Sequence, residues 1–125
     1  MGIQVLAVAL GGAVGSALRY LTTLGAARLV GTGFPLGTFV VNILGCLLAG
    51  LVFGLTEERS FLPPIARILL LTGFLGGYTT FSTFAVETVS LLRDGSWVAA
   101  LGSLAGNVII GGACALGGIY LGRVV

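Results

Sequence analysis

Four long apolar stretches, parted by three short clusters of breakers and charges, make up almost the whole chain. The stretches cover residues 3–24, 36–55, 65–92 and 97–121. Gly31, Gly33 and Pro35 separate the first two. Thr56-Glu57-Glu58-Arg59-Ser60 and then Pro63-Pro64 separate the second from the third. Arg93-Asp94-Gly95-Ser96 makes a short turn before the fourth. About 20 apolar residues suffice for a helix to cross a bilayer. The pattern therefore predicts an all-α integral membrane protein with four transmembrane helices in a single membrane domain, residues 1–125. The period-2 alternation of a barrel is not visible, and an open sheet leaves unpaired edges in lipid. Gly73, Gly76 and Gly77 interrupt the third stretch just before the polar run 78–84, and Gly76-Gly77 predicts a helix broken at mid-membrane. Trp97 and Tyr120 stand at the ends of the fourth as interfacial anchors. The first stretch follows no positive n-region and is long for a signal sequence, so it is read as a retained span.

Composition agrees with lipid as the solvent. A soluble domain carries about 25% charged residues, whereas this chain carries 8% against 57% hydrophobic. The net charge of +2 comes from six arginines against four acids, too thinly spread for a nucleic-acid surface. With neither His nor Lys there is no Ser-His or Cys-His pair and no Walker A lysine, so enzyme readings fail for want of groups. Cys46 and Cys114 lie in apolar runs and read as small hydrophobes rather than a disulfide or a zinc site. Glu57 and Glu58 beside Arg59 read as a solvated, salt-bridged loop. With the termini and middle loop on one side of the membrane, that side holds Arg59, Arg67 and Arg123, and the other Arg19, Arg28 and Arg93. This balance gives no positive-inside bias, so two copies could insert in opposite senses and pair about a two-fold axis in the membrane plane. Small-xxx-small pairs occur at Gly11/Gly15, Gly50/Gly54, Gly73/Gly77, Gly102/Gly106 and Gly118/Gly122, and they let helix backbones approach closely.

Polar groups at membrane depth are costly, so each marks a pathway or a helix contact. Asn42 and Asn107 are open to both readings. A break at Gly76-Gly77 exposes backbone groups that are tolerated where they line an ion site. After it come Thr80, Ser82 and Thr83, and Phe81 and Phe84, which share a helix face. Phenyl edges are positive and hydroxyls and an Asn amide donate hydrogen bonds, so together they could replace part of an anion's hydration shell. Packing against a neighbouring span is the plainer role for the two rings. Glu87 is the one acid well inside a predicted helix, which favours passive conduction over proton coupling. Arg19 either draws anions to a pore mouth or snorkels to headgroups.

Three stretches, 11–20, 37–45 and above all 73–84 (Gly73-Phe74-Leu75-Gly76-Gly77-Tyr78-Thr79-Thr80-Phe81-Ser82-Thr83-Phe84), resemble the CrcB/Fluc family of small fluoride channels. The resemblance runs through the whole chain. It implies an antiparallel, dual-topology homodimer in the cell membrane (the inner one where there are two), with two fluoride pores. It also implies a structural Na+ on the dimer axis, held by the backbone carbonyls of Gly76 and Thr79 from both subunits. By motif the pore residues are Asn42, Phe81 and Phe84, with Thr80, Ser82 and Thr83 as a polar track, Glu87 after it and Arg19 at the mouth. Asn107 falls where family members often carry a serine. The implied role is passive export: neutral hydrogen fluoride enters through lipid and dissociates inside, and the membrane potential drives the anion out. A small multidrug transporter, also four short spans in an antiparallel dimer, needs a membrane-embedded acid in its first span, and this chain has none there. A membrane scaffold explains the glycines but not the polar run.

Overall fold

The computed structural model describes residues 1–57 and 61–125. Among the described residues, four helices are long and apolar enough to cross a membrane: Gly2–Val30, Leu36–Glu57, Pro64–Arg93 and Trp97–Val124. The chain is a multi-pass membrane protein. Its outer faces present Leu10, Val14, Leu21, Val89, Leu101 and Leu116, a surface suited to lipid rather than water.

The first span runs past the expected Leu24 to Val30. Its hydroxyls do not end it, because Thr22 Oγ1 donates to the Leu18 carbonyl and Thr23 Oγ1 to that of Tyr20, each at 2.9 Å. Gly31, at φ 78°, ends the helix and returns its N–H to Ala27 at 2.9 Å. The second span likewise extends to Glu57, whose Oε2 accepts from Arg123 Nε at 3.0 Å and Nη2 at 2.6 Å. Glu57 therefore belongs to a helix end, not a loop. Glu58 and Arg59, the rest of the expected salt-bridged loop, lie outside the described residues. Pro64 begins the third span, where a missing N–H is harmless. Arg67 places its guanidinium 5.6 Å from the Phe53 ring centroid. The turn at 93–96 is a Schellman close: Ser96 N–H reaches the Leu91 carbonyl at 2.8 Å, Gly95 N–H that of Leu92 at 3.1 Å, and Gly95 has φ 76°.

Four of the five glycine pairs interlock two by two. Gly11 and Gly15 face Gly73 and Gly77: a Cβ at Gly11 would stand 2.8 Å from the Phe74 amide nitrogen, and one at Gly77 2.6 Å from the Gly12 carbonyl oxygen. Gly50 and Gly54 meet the carbonyls of Ala115 and Ile119, and Gly118 and Gly122 meet those of Leu47 and Leu51. The first and third spans, and the second and fourth, thus pack backbone on backbone in parallel. Gly102/Gly106 does not follow. Gly106 receives the ring of Phe39, and Gly102 has only the Phe34 ring near it at 3.8 Å.

The third span is broken, three residues later than Gly76-Gly77 suggests. Gly76–Tyr78 is helical, continuing a wide π-wound stretch, Ile68–Leu75. The interruption falls at Thr79 (φ −83°, ψ 161°) and Thr80 (φ −152°, ψ 121°), and the helix resumes over Phe81–Arg93. The physical reason is a division of labour. Gly77 is needed for the close crossing with the first span. Extended backbone suits the two β-branched threonines. A second π-wound stretch, Gly106–Ile110, sits in the fourth span and carries Asn107.

Candidate functional site

At the break the backbone loses its helical partners and finds others. Thr80 N–H, which an unbroken helix would close on Gly76, donates to Asn42 Oδ1 at 2.9 Å. Asn42 Nδ2 donates back to the Thr80 carbonyl at 3.0 Å. Thr83 N–H, which would otherwise seek Thr79, donates to Thr80 Oγ1 at 3.2 Å, so Thr80 is the N-cap of the second half of the span. The Thr80 hydroxyl donates in turn to Thr83 Oγ1 at 3.0 Å. These diversions release the Gly76 and Thr79 carbonyls from the amides they would meet in a continuous helix.

A polar ladder climbs from the break into the fourth span. Asn42 Nδ2 donates to Asn107 Oδ1 at 2.8 Å, and Asn107 Nδ2 donates to the Ser103 carbonyl at 2.8 Å. Ser103 Oγ, fully buried, lies 3.4 Å from Thr88 Oγ1. Thr38, Ser103 and Thr88 are additions to the residues read from the sequence. The signal for the first two was there: each lies four residues before an asparagine, Thr38 before Asn42 and Ser103 before Asn107, and so shares its helix face.

Phe81 opens the second half of the span. Its ring is 79% exposed on the protomer, whereas Phe84 is 6% exposed, and the two meet edge to face at 5.7 Å and 62°. Such a pair offers a ring edge, its positive rim, to whatever occupies the space beside it. That space is a recess of about 410 Å³ lined by Gly76, Thr79, Phe81, Phe84, Asn42 and Asn107. A second recess, about 240 Å³, lies across the break and joins Arg19 to Ser16, Thr80 and Thr83. A third, about 370 Å³, opens beyond the other end of the ladder and holds Thr38 and Glu87. Thr38 Oγ1 and Glu87 Oε2 are buried there without a well-formed hydrogen bond among the described residues, the one facing the other.

The expected site residues are therefore grouped but not pooled. Asn42, Asn107, Thr80, Phe81 and Phe84 converge, with Gly76 and Thr79 on the same recess. Arg19 and Thr83 share the neighbouring one through Thr80. Glu87 stands apart with Thr38. Ser82 is exposed at the surface of the protomer.

For the cation that the sequence resemblance implies, the test is the donor set. The break frees two carbonyl oxygens, Gly76 and Thr79, on the wall of a recess that opens outward from the protomer. Neutral oxygen ligands from unwound backbone suit Na+. The residues fit.

Residues 6–119 match the family model described as CrcB-like protein, Camphor Resistance (CrcB). The chain is 49% identical over 118 residues to a protein of Maridesulfovibrio salexigens, a match that covers 94% of each. It is 48% identical over 120 residues to one of Chloroflexus aurantiacus, covering 96% of this chain and 95% of the other. It is 43% identical over 121 residues to one of Nitrobacter winogradskyi, covering 97% and 96%. All three relatives bear the name fluoride-specific ion channel FluC.

Proposed function

Because the chain belongs to the CrcB-like family, we propose that it is a fluoride-selective channel of the cell membrane that lets the anion leave the cytoplasm passively. The observation that carries the reading is the edge-to-face contact of exposed Phe81 with buried Phe84, directly after a helix break and beside the hydroxyls of Thr80 and Thr83.

Ring edges attract an anion without binding it as tightly as a fixed cation does. Conduction needs that balance, since an ion must enter a site and also leave it. Thr80, Thr83 and Ser82 extend the polar track, Arg19 raises the local anion concentration at one mouth, and Asn42 and Asn107 close the floor of the recess. Thr38 and Glu87 line the continuation at the other end. Thr38 has a donor to give, and Glu87 can donate only when protonated. With a single acid on this route, coupled proton transport lacks a relay and a passive pore fits better.

The recess at Phe81 is open on one side of the protomer, so a second copy is the natural wall. An antiparallel pair about an axis in the membrane plane would form two such pores. It would also bring two Gly76 and two Thr79 carbonyls together around Na+, which supplies positive charge that holds the two breaks face to face.

The test is fluoride release from liposomes bearing the purified protein, followed with a fluoride electrode, with chloride as control. Fast fluoride release with little chloride leak is expected, and F81A should slow it about ten-fold or more. Folded protein that releases no fluoride would overturn the proposal.

A further inference from the structure

Gly45 stands where the second span passes the break, and it differs from the glycines of the two helix crossings. Those meet backbone, whereas a Cβ at Gly45 would land on the Cγ2 methyl of Thr79. We propose that Gly45 is a positioning residue, a seat on the second span that receives the Thr79 methyl and so holds the Thr79 carbonyl on the wall of the recess for the cation. The proposal rests on the cation of the reading above.

Thr79 is β-branched, so one torsion sets both arms of its side chain. One arm, Oγ1, donates to the Leu75 carbonyl at 2.9 Å, and the Thr79 N–H donates to the same carbonyl at 3.0 Å. The other arm fills the gap that Gly45 leaves, and Gly45 itself is buried. With its N–H and both arms engaged, Thr79 is held at φ −83°, ψ 161°. Its carbonyl is the group left over for the recess that Gly45, Gly76 and Thr79 line together.

A methyl group at position 45 cannot be accommodated by turning the Thr79 side chain. The order of the substituents on its Cβ is fixed by chirality, so both other staggered rotamers take the hydroxyl off Leu75. One turns it onto position 45, and the other sets the methyl against the Leu75 carbonyl. The remaining escape is for the Thr79 backbone to move, and its carbonyl moves with it. Serine at position 79 lacks the Cγ2 branch and keeps the hydroxyl. It therefore takes a methyl at position 45 with the bond to Leu75 intact.

The test is a methyl exchange read by melting in detergent, with Na+ titrated against choline at constant ionic strength. The unaltered protein should melt higher as Na+ rises, because only the folded state holds the ion. G45A should require about ten-fold more Na+ for the same gain, the change that one overpacked methyl brings. G45A/T79S should return to within about two-fold of the unaltered protein, since the added methyl replaces the lost one. A seat that merely packs the helices would lower the G45A midpoint equally at every Na+ concentration, and that parallel fall would overturn the proposal. So would a double variant no better than G45A. If G45A does not fold, a G45A/T79S that folds with the unaltered Na+ dependence supports the seat, and one that does not fold overturns it. An unaltered protein whose midpoint ignores Na+ would sink the cation reading alone. The exchange in choline then decides on the seat: a G45A loss regained in G45A/T79S upholds it, and equal midpoints overturn it.

Discussion

Gly117 and Gly118 are neighbours on one helix with opposite surroundings, and the contrast between them measures what the glycine frame is worth. A Cβ at Gly118 would land on the carbonyl oxygen of Leu47 and 2.8 Å from the amide nitrogen of Leu51, while one at Gly117 would meet nothing within 4 Å. Both residues sit inside Gly111–Val124, so both substitutions to Ala gain the same helix propensity, about 1 kcal/mol. Subtracting one from the other cancels that gain and leaves the overpacking cost, about 1–3 kcal/mol. The upper half of the range applies, because the atoms struck are backbone of the second span and cannot rotate aside. They yield only if the two helices part along their length, which also loosens Gly50 against Ala115 and Gly54 against Ile119. For a chain of this size roughly 3–6 °C in melting midpoint corresponds to 1 kcal/mol. G118A should therefore melt at least several degrees below G117A in the same detergent, read by loss of the dispersed folded peak on heating. If G118A melts with G117A, the close crossing is not a source of stability and the packing argument fails.

Two further outcomes follow from the polar groups. Replacing Thr38 by Val, which keeps its shape, removes a buried hydroxyl that makes no well-formed hydrogen bond among the described residues and has only the Glu87 carboxyl beside it. T38V should raise stability by about 1 kcal/mol while slowing fluoride release; a destabilised T38V would show that the hydroxyl is already satisfied. The Glu57–Arg123 pair has side chains 37% and 46% exposed, so E57Q should cost no more than about 0.5 kcal/mol, a cost that fades in molar salt. A loss several times larger, persisting in salt, would assign the pair a buried role.

Four spans were legible because an apolar run of bilayer length admits few other structures, and the breakers between them are unambiguous. The glycine pairs were legible as contacts in general, but their partners were not: a small-xxx-small spacing marks a face without saying which helix meets it, and at Gly102/Gly106 the face takes aromatic rings instead. The same ambiguity misplaced the break. Gly76-Gly77 has the composition of an unwound turn, yet Gly77 is small so that the first span can come near. Two β-branched residues, Thr79 and the capping Thr80, fix the interruption three residues on. Thr38 and Ser103 escaped notice because a lone hydroxyl in a helix can always fold back on its own backbone, as Thr56 does onto the Val52 carbonyl at 2.8 Å. Only the packed structure shows which hydroxyls do not.

That distinction sorts the polar groups of the interior into two kinds. Thr22, Thr23 and Thr56 close on their own helices, and Thr80, Asn42 and Asn107 close on one another at the seam where the second, third and fourth spans meet. Each is satisfied, so lipid imposes no further demand on it. Thr38 Oγ1 and Glu87 Oε2 lack a well-formed hydrogen bond among the described residues and have chiefly each other, and they lie beyond the ladder from the exposed edge of Phe81. The recess that holds them opens among Gly31, Thr32, Pro35 and Asp94 at the ends of the spans, where water can reach it. A frame held rigid by backbone contacts on both sides cannot collapse to bring them partners. Unpaired groups survive in such a place when something that comes and goes pairs with them. Among the described residues, Thr38 and Glu87 are where a polar partner would still gain a bond, and the proposed anion path from the Phe81–Phe84 edge would end there.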